Sequence, residues 1–223
     1  MVFLHACDDF SLLRERQVLE PILRYIWQRG TAILFLLIFG VAAYLSNSRN
    51  NPQLRPGFQK WLRRGTYLFG WGMIITLITA IFLRKEFVVF GILHLMGVGS
   101  ILIYPCLSHK FFNLGLGVVF IIAGTLLSNY RFDFAWLVWL GLIPEGFCSV
   151  DYFPIIPWFG YILIGAFLGY LIYPRGVRKF RIKEYSGNPM LKSLCFLGQK
   201  SLWIYLVHQP LLLIAIYIVS RIS

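Results

Sequence analysis

Three histidines, His5, His94 and His208, each stand in an apolar run long enough to enter a bilayer. An ionisable group is expensive in hydrocarbon, so such a histidine is first read as part of a functional site. HACDDF at 5–10 places Asp9 four residues after His5, on the same face of a continuing helix. An Asp there can hold the imidazole in one tautomer and stabilise its charged form, the pairing of a general base and its orienter. The plainer alternative is that Asp8 and Asp9 end the helix at water. In SVDYFPIIPWFGYILIGAFLG at 149–169, Asp151 and Tyr152 precede two prolines and a helix with small residues at Gly160, Gly165 and Gly169. Asp151 there is either a cavity group or the N-cap of that helix, with Pro154 and Pro157 in its first turn. His94 lies in FGILHLMGVGSILIYP, where a hydrogen bond to a neighbouring carbonyl competes with a catalytic role. His208 and Gln209 precede Pro210, which removes a backbone donor and frees the carbonyl of residue 206. Either side chain could satisfy that carbonyl instead of a ligand.

The elements that must carry these groups are membrane helices. The 223 residues are 58% hydrophobic and 13% charged, with a mean hydropathy of +0.71. A soluble domain is about 45–50% apolar and about 25% charged. The net charge of +12 sits in short loops between apolar runs, which fits orientation by cytoplasmic Lys and Arg and not nucleic-acid binding. Cys7, Cys106, Cys148 and Cys195 have no metal-ligand spacing, so no metal is expected. A Cys7–Cys148 disulfide is an open option, since both fall on the outer side. No cleavable signal peptide is visible. Walker A, GxSxG, HExxH and GxGxxG patterns are missing from the sequence.

Full spans are predicted at 25–46, 66–83, 87–107, 111–128, 153–173 and 201–220, with MVFLHA as the end of a partial first helix. Residues 8–24 suit an interfacial helix interrupted by Pro21. The stretch 132–143 is short. If it crosses, the basic loops 47–65 and 174–200 fall on opposite faces. If 132–152 is instead re-entrant or interfacial on the outer side, both are cytoplasmic, and 13 of the 21 Lys and Arg lie inside. The second arrangement is preferred. It puts His94 seven residues, about 10 Å, from the outer end of its helix. The fold class is therefore all-α: a polytopic transmembrane bundle, one domain over 1–223, with six full spans, the partial helix and one re-entrant segment.

These motifs together resemble the bacterial membrane proteins grouped with heparan-α-glucosaminide N-acetyltransferase. MVFLHACDDFS is similar to that family's first-helix end, FGILHLMGVGSILIYP to its FGILHxIGL helix, and DYFPIIPWFG to its DYFP–PW signature. FLGQKSLWIYLVHQPLLL resembles its closing HQP helix. The match runs in order over nearly the whole chain. The resemblance implies an inner-membrane acyltransferase, with basic loops cytoplasmic. It would move an acetyl or other acyl group from cytosolic acyl-CoA to an extracytoplasmic glycan or lipid-linked sugar. His5 is then the general base and Asp9 its orienter. His94, Asp151, Tyr152, Trp158, His208 and Gln209 line the substrate cavity. Arg63, Arg64, Arg178 and Lys179, in the two basic loops, hold the anionic nucleotide of acetyl-CoA, which is a co-substrate and not a tightly bound cofactor. The same loops could equally set topology or attract anionic lipid. The bilayer is a partner, nucleic acid is not, and a homodimer stays open. Family members usually begin about 15–20 residues earlier, so Met1 is expected to be a misassigned start or the mark of a site partly lost. The rival readings are a small-solute transporter, disfavoured for want of inverted repeats, and a catalytically degenerate subunit.

Overall fold

In the computed structural model the described residues are 21–48, 57–83, 87–174, 177, 189–200, 202–204 and 206. Six α-helices follow in order: α1 Pro21–Asn47, α2 Phe58–Leu83, α3 Ile92–Cys106, α4 Lys110–Leu127, α5 Ile155–Ile172 and α6 Pro189–Gln199. One 3-10 turn lies at Val138–Leu140. In hydrocarbon a segment must satisfy its own backbone hydrogen bonds, and these Leu-, Ile- and Phe-rich runs do so as helices. Among the described residues, four stretches are long and apolar enough to cross a membrane: Arg29–Asn47, Phe58–Ile81, Lys110–Leu127 and Ile155–Ile172. The chain is thus an all-helical integral membrane protein.

The structure differs from the expected spans at α2 and α3. Helix α2 begins at Phe58, not at 66, so Lys60, Arg63 and Arg64 ride on its first two turns and not in a loop. Helix α3 starts at Ile92 instead of 87 and has 15 residues, about 22 Å, less than the roughly 30 Å of a hydrocarbon core. Pro21 is the first described residue of α1, and the segment before it lies outside the described residues. Residues 132–143 make no spanning helix, as expected, and form bends, turns and the 3-10 turn. Residues 1–20, including the partial first helix and most of the interfacial segment, lie outside the described residues. So does most of 201–220.

The chain divides into two compact units, Met1–Ala32 with Phe180–Ser223, and Ile33–Lys179. In the first, α6 is exposed along its length, with Met190, Leu191, Leu194 and Leu197 on one face. The second holds the core, which includes Leu36, Leu95, Ile103, Ile162 and Leu163.

Close backbone approach builds this second unit. A Cβ on Gly65 would come within 2.7 Å of the Gly97 carbonyl, and one on Gly97 within 2.8 Å of the Gly65 carbonyl. Gly117 and Gly160 face each other in the same way, at 2.9 and 2.6 Å. Gly40 meets the backbone of Ile162 and Ala166, and Gly165 meets Leu37. Such contacts suit membrane bundles, where association rests on dispersion between closely packed backbones. The pairs also give direction. Gly65 with Gly97 and Gly72 with His94 make α2 and α3 antiparallel; Gly117 with Gly160 and Gly124 with Pro157 do the same for α4 and α5. Segment 128–154 therefore leaves and returns at one end of the unit. It does not cross, as the re-entrant arrangement requires.

Gly40→Leu drives a side chain into α5 backbone, and overpacking of this kind costs about 1–3 kcal/mol. Gly70, on α2, has open space around it. Gly70→Ala should gain up to about 1 kcal/mol from helix propensity. Thermal unfolding in detergent is expected to move down for the first variant and slightly up for the second.

Candidate functional site

The short α3 leaves residues 87–91 extended at the end of the unit where α4 ends and α5 begins. Their backbone groups need partners, because no helix supplies them. Side chains from three elements meet that need. On α2, the Thr76 hydroxyl donates to the Val88 carbonyl at 2.6 Å, and Thr79 Oγ1 accepts the Val88 N–H at 3.1 Å. From the 128–154 segment, Ser149 Oγ donates to the Phe87 carbonyl at 3.0 Å and accepts the Val89 N–H at 3.3 Å. Phe153 N–H donates to the Phe90 carbonyl at 2.8 Å, within a parallel bridge between Phe90 and Tyr152.

His94 and Asp151 complete this clasp at the α3 N-terminus. His94 Nδ1 accepts the Gly91 N–H at 3.1 Å, the return half of a capping box. Its Nε2 lies 3.4 Å from Thr76 Oγ1. The Thr76 proton is already committed to Val88, so His94 is the neutral Nε2–H tautomer that donates to Thr76. The ring is 1% exposed, between Phe69 at 5.2 Å and Phe90 at 5.4 Å, in space left by Gly72. Asp151 Oδ2 accepts the Ile92 N–H at 3.1 Å and lies against Gly91. A carboxylate at a helix N-terminus also meets the positive end of the helix dipole.

Two sequence expectations are corrected here. His94 is the third residue of α3, not seven residues deep, because the preceding strip pairs with 149–153. Its Nδ1 accepts from a backbone N–H and does not bond a carbonyl. Asp151 does not cap its own helix: α5 starts after Pro154 with no side-chain cap, and Asp151 caps α3, about 60 residues back. Burial raises the Asp151 carboxyl to about 6, although the Ile92 N–H pulls the other way.

Tyr152 reaches across to the loop. Its hydroxyl donates to the Val138 carbonyl at 2.7 Å, and burial pushes it up to about 12. Phe147 stands edge-on to its ring at 4.9 Å. Gly141, at φ +123°, follows the 3-10 turn, and a Cβ there would press the Ile156 carbonyl at 2.6 Å. A depression of about 480 Å³ opens beside Tyr152, lined also by Arg131, Ile143, Pro144, Phe147, Cys148 and Ser149. The Cys148 thiol is exposed and free; Cys7 lies outside the described residues. Trp158 is buried one turn into α5, with Phe153 at 4.7 Å and Tyr161 at 5.7 Å.

Arg63 and Arg64 lie at the opposite end, near the α2 N-terminus. With Lys60, Thr66 and Tyr67 they line a second, more open depression of about 640 Å³. The Arg64 guanidinium sits 5.4 Å from the Phe39 ring, and Lys110 Nζ sits 4.0 Å from that of Tyr170. Two buried polar atoms at this end, Trp61 Nε1 and Asn113 Oδ1, have no hydrogen-bond partner among the described residues. The structure thus gathers His94, Asp151 and Tyr152, keeps Trp158 close by, and holds Arg63 and Arg64 apart from them. His5, Asp9, Arg178, Lys179, His208 and Gln209 lie outside the described residues. Thr76, Ser149 and Arg131 were not singled out from sequence. A threonine pair at i, i+3 near a helix end and a serine two before DYFP were the available signals.

Between about pH 4 and 6 the folded Asp151 carboxyl holds a proton that the unfolded one has lost, since its ordinary value is 3.8. Stability therefore falls as pH rises through that window, by up to about 3 kcal/mol. Asp151→Asn keeps an acceptor for Ile92 and carries no charge. It should flatten this slope and melt higher than the parent above pH 6; an unchanged slope in detergent melts would assign the dependence to other groups.

Neither a curated protein nor a solved structure matches the chain. The family model described as heparan-alpha-glucosaminide N-acetyltransferase, catalytic, matches residues 1–210. Covering nearly the whole chain, that match places this membrane protein in the heparan-alpha-glucosaminide N-acetyltransferase catalytic-domain family.

Proposed function

We propose that the protein moves an acetyl group from acetyl-CoA on the cytoplasmic side to a sugar-type acceptor on the other. The observation that carries this reading is the segregation of chemistry between the two ends of the Ile33–Lys179 unit. Lys60, Arg63 and Arg64 stand free of carboxylate partners among the described residues at one end. The Asp151–Tyr152 clasp and its depression stand at the other. The first suits a polyphosphate, which guanidinium groups bind by charge-assisted forks. The second suits a hydroxylated acceptor, with aromatic faces and a few fixed polar groups.

In this reading Arg178 and Lys179 add charge around the nucleotide, while His208, Gln209 and Trp158 help shape the cavity. His5 takes the proton of the acceptor amine or hydroxyl, and Asp9 steadies the imidazolium. The acceptor lone pair attacks the thioester carbonyl, the C–S bond breaks, and the thiol leaves with a proton returned from His5. His94 is not the base, because both ring nitrogens are engaged in the clasp.

Calorimetry with acetyl-CoA on the detergent-purified chain tests the donor half. Saturable binding is expected, weakened about tenfold or more in Arg63→Ala/Arg64→Ala, since each charged hydrogen bond is worth about 1.5–3 kcal/mol. Acetyl transfer to glucosamine should vanish in His5→Ala while acetyl-CoA binding and melting temperature persist. No binding by well-folded protein would sink the acetyl-CoA mechanism.

A further inference from the structure

The loop-side depression contains a cation prepared on one edge and open on the other. Arg131 Nη1 donates to the carbonyls of Ser128 and Tyr130, both at 3.0 Å. These two bonds fix the guanidinium plane at the end of α4. Its Nε and Nη2 have no partner among the described residues. The nearby acids, Asp133 and Glu145, are exposed, and neither pairs with it. A bridge between Phe132 and Pro144 closes the loop beside it, with the Phe132 N–H donating to the Ile143 carbonyl at 3.1 Å. Pro144, Phe147 and Tyr152 supply an apolar wall to the same space. The Tyr152 hydroxyl proton is spent on Val138, so toward a ligand that oxygen can only accept.

We propose that this depression binds the phosphate or carboxylate of a saccharide-sized ligand, with the free edge of Arg131 as the fork and Phe147 and Tyr152 as the apolar wall. The volume of about 480 Å³ falls within the range of small-ligand pockets. A guanidinium already oriented by two carbonyls loses less freedom on binding than a free one and matches a planar or tetrahedral anion through two parallel N–H donors. The proposal names the acceptor class of the acetyltransfer reading and rests on that reading for its biological meaning. The anion belongs either to a soluble sugar acid or sugar phosphate, or to a lipid headgroup.

The test is calorimetric titration of the detergent-purified full chain with glucose 6-phosphate, glucose and inorganic phosphate. Saturable glucose 6-phosphate binding is expected, at least about tenfold tighter than glucose and at least about tenfold weaker in Arg131→Gln. Arg131→Lys keeps the charge and loses the fork, so it should fall between the two; it decides the matter if Arg131→Gln fails to fold. Competition by phosphatidylglycerol added to the micelles would assign the anion to a lipid headgroup; no competition would assign it to a soluble ligand. Both outcomes keep the fork. Equal affinity for glucose and glucose 6-phosphate, absent binding, or binding unchanged in both variants overturns the proposal. Acetyl-CoA titration of the same preparations reads the opposite end, so the Arg131 site and the donor reading fail separately.

Discussion

An extended strip of backbone at the end of an apolar bundle must find hydrogen-bond partners, and the rest of the structure is arranged around that need. Residues 87–91 carry N–H and C=O groups that α3 cannot satisfy, because it begins only at Ile92. Leaving such groups buried and unpaired costs about 1–3 kcal/mol each. Thr76 and Thr79 come from α2, His94 from α3 itself, and Ser149, Asp151 and Phe153 from the segment before α5. Two consecutive helices and a segment about 60 residues further on are thereby tied at one point. Gly91 and Gly72 leave the space into which Asp151 and His94 fit.

Below the clasp, the bundle is held by backbone-to-backbone proximity and not by polar pairs. Gly40, Gly65, Gly97, Gly117, Gly160 and Gly165 each stand where a side chain would strike a neighbouring main chain. Lipid offers no hydrophobic drive between helices, so dispersion across such seams has to supply the cohesion. The outward faces, including Leu77, Ile81, Val119 and Leu126, remain apolar and exposed, as a lipid-facing surface is. The seams fix helix direction, and direction places the 128–154 segment, with Arg131 and Tyr152, at the end opposite Arg63 and Arg64.

That polarity gives the family's chemistry a physical frame. A cationic groove beside aromatic rings lies at one end, and a hydrogen-bonded clasp at the other. Asp151, a helix cap, keeps a titratable carboxyl that burial raises to about 6. His94 illustrates the opposite case: an ionisable side chain in an apolar helix whose nitrogens are both consumed by the fold.

Composition, hydropathy and charge determined the class of this protein by themselves, because apolar runs of bilayer length have few stable states other than helices. The glycine seams at 160, 165 and 169 were legible for the same reason: small residues at helical spacing allow close approach wherever a partner helix exists. The non-crossing character of 132–143 followed from the placement of Lys and Arg, a global property of the chain. Partnership was not legible. Asp151 stands before α5 with the local marks of its N-cap, yet caps α3, because the bridge between Phe90 and Tyr152 delivers it to a different helix. His94 looked deep in a span because nothing in FGILH shows that its first residues are claimed by Ser149 and Phe153 from a remote segment. Arg131 carried no motif at all. The carbonyls it bonds, Ser128 and Tyr130, are local in sequence, but only the tertiary structure sets Pro144, Phe147 and Tyr152 around the same depression.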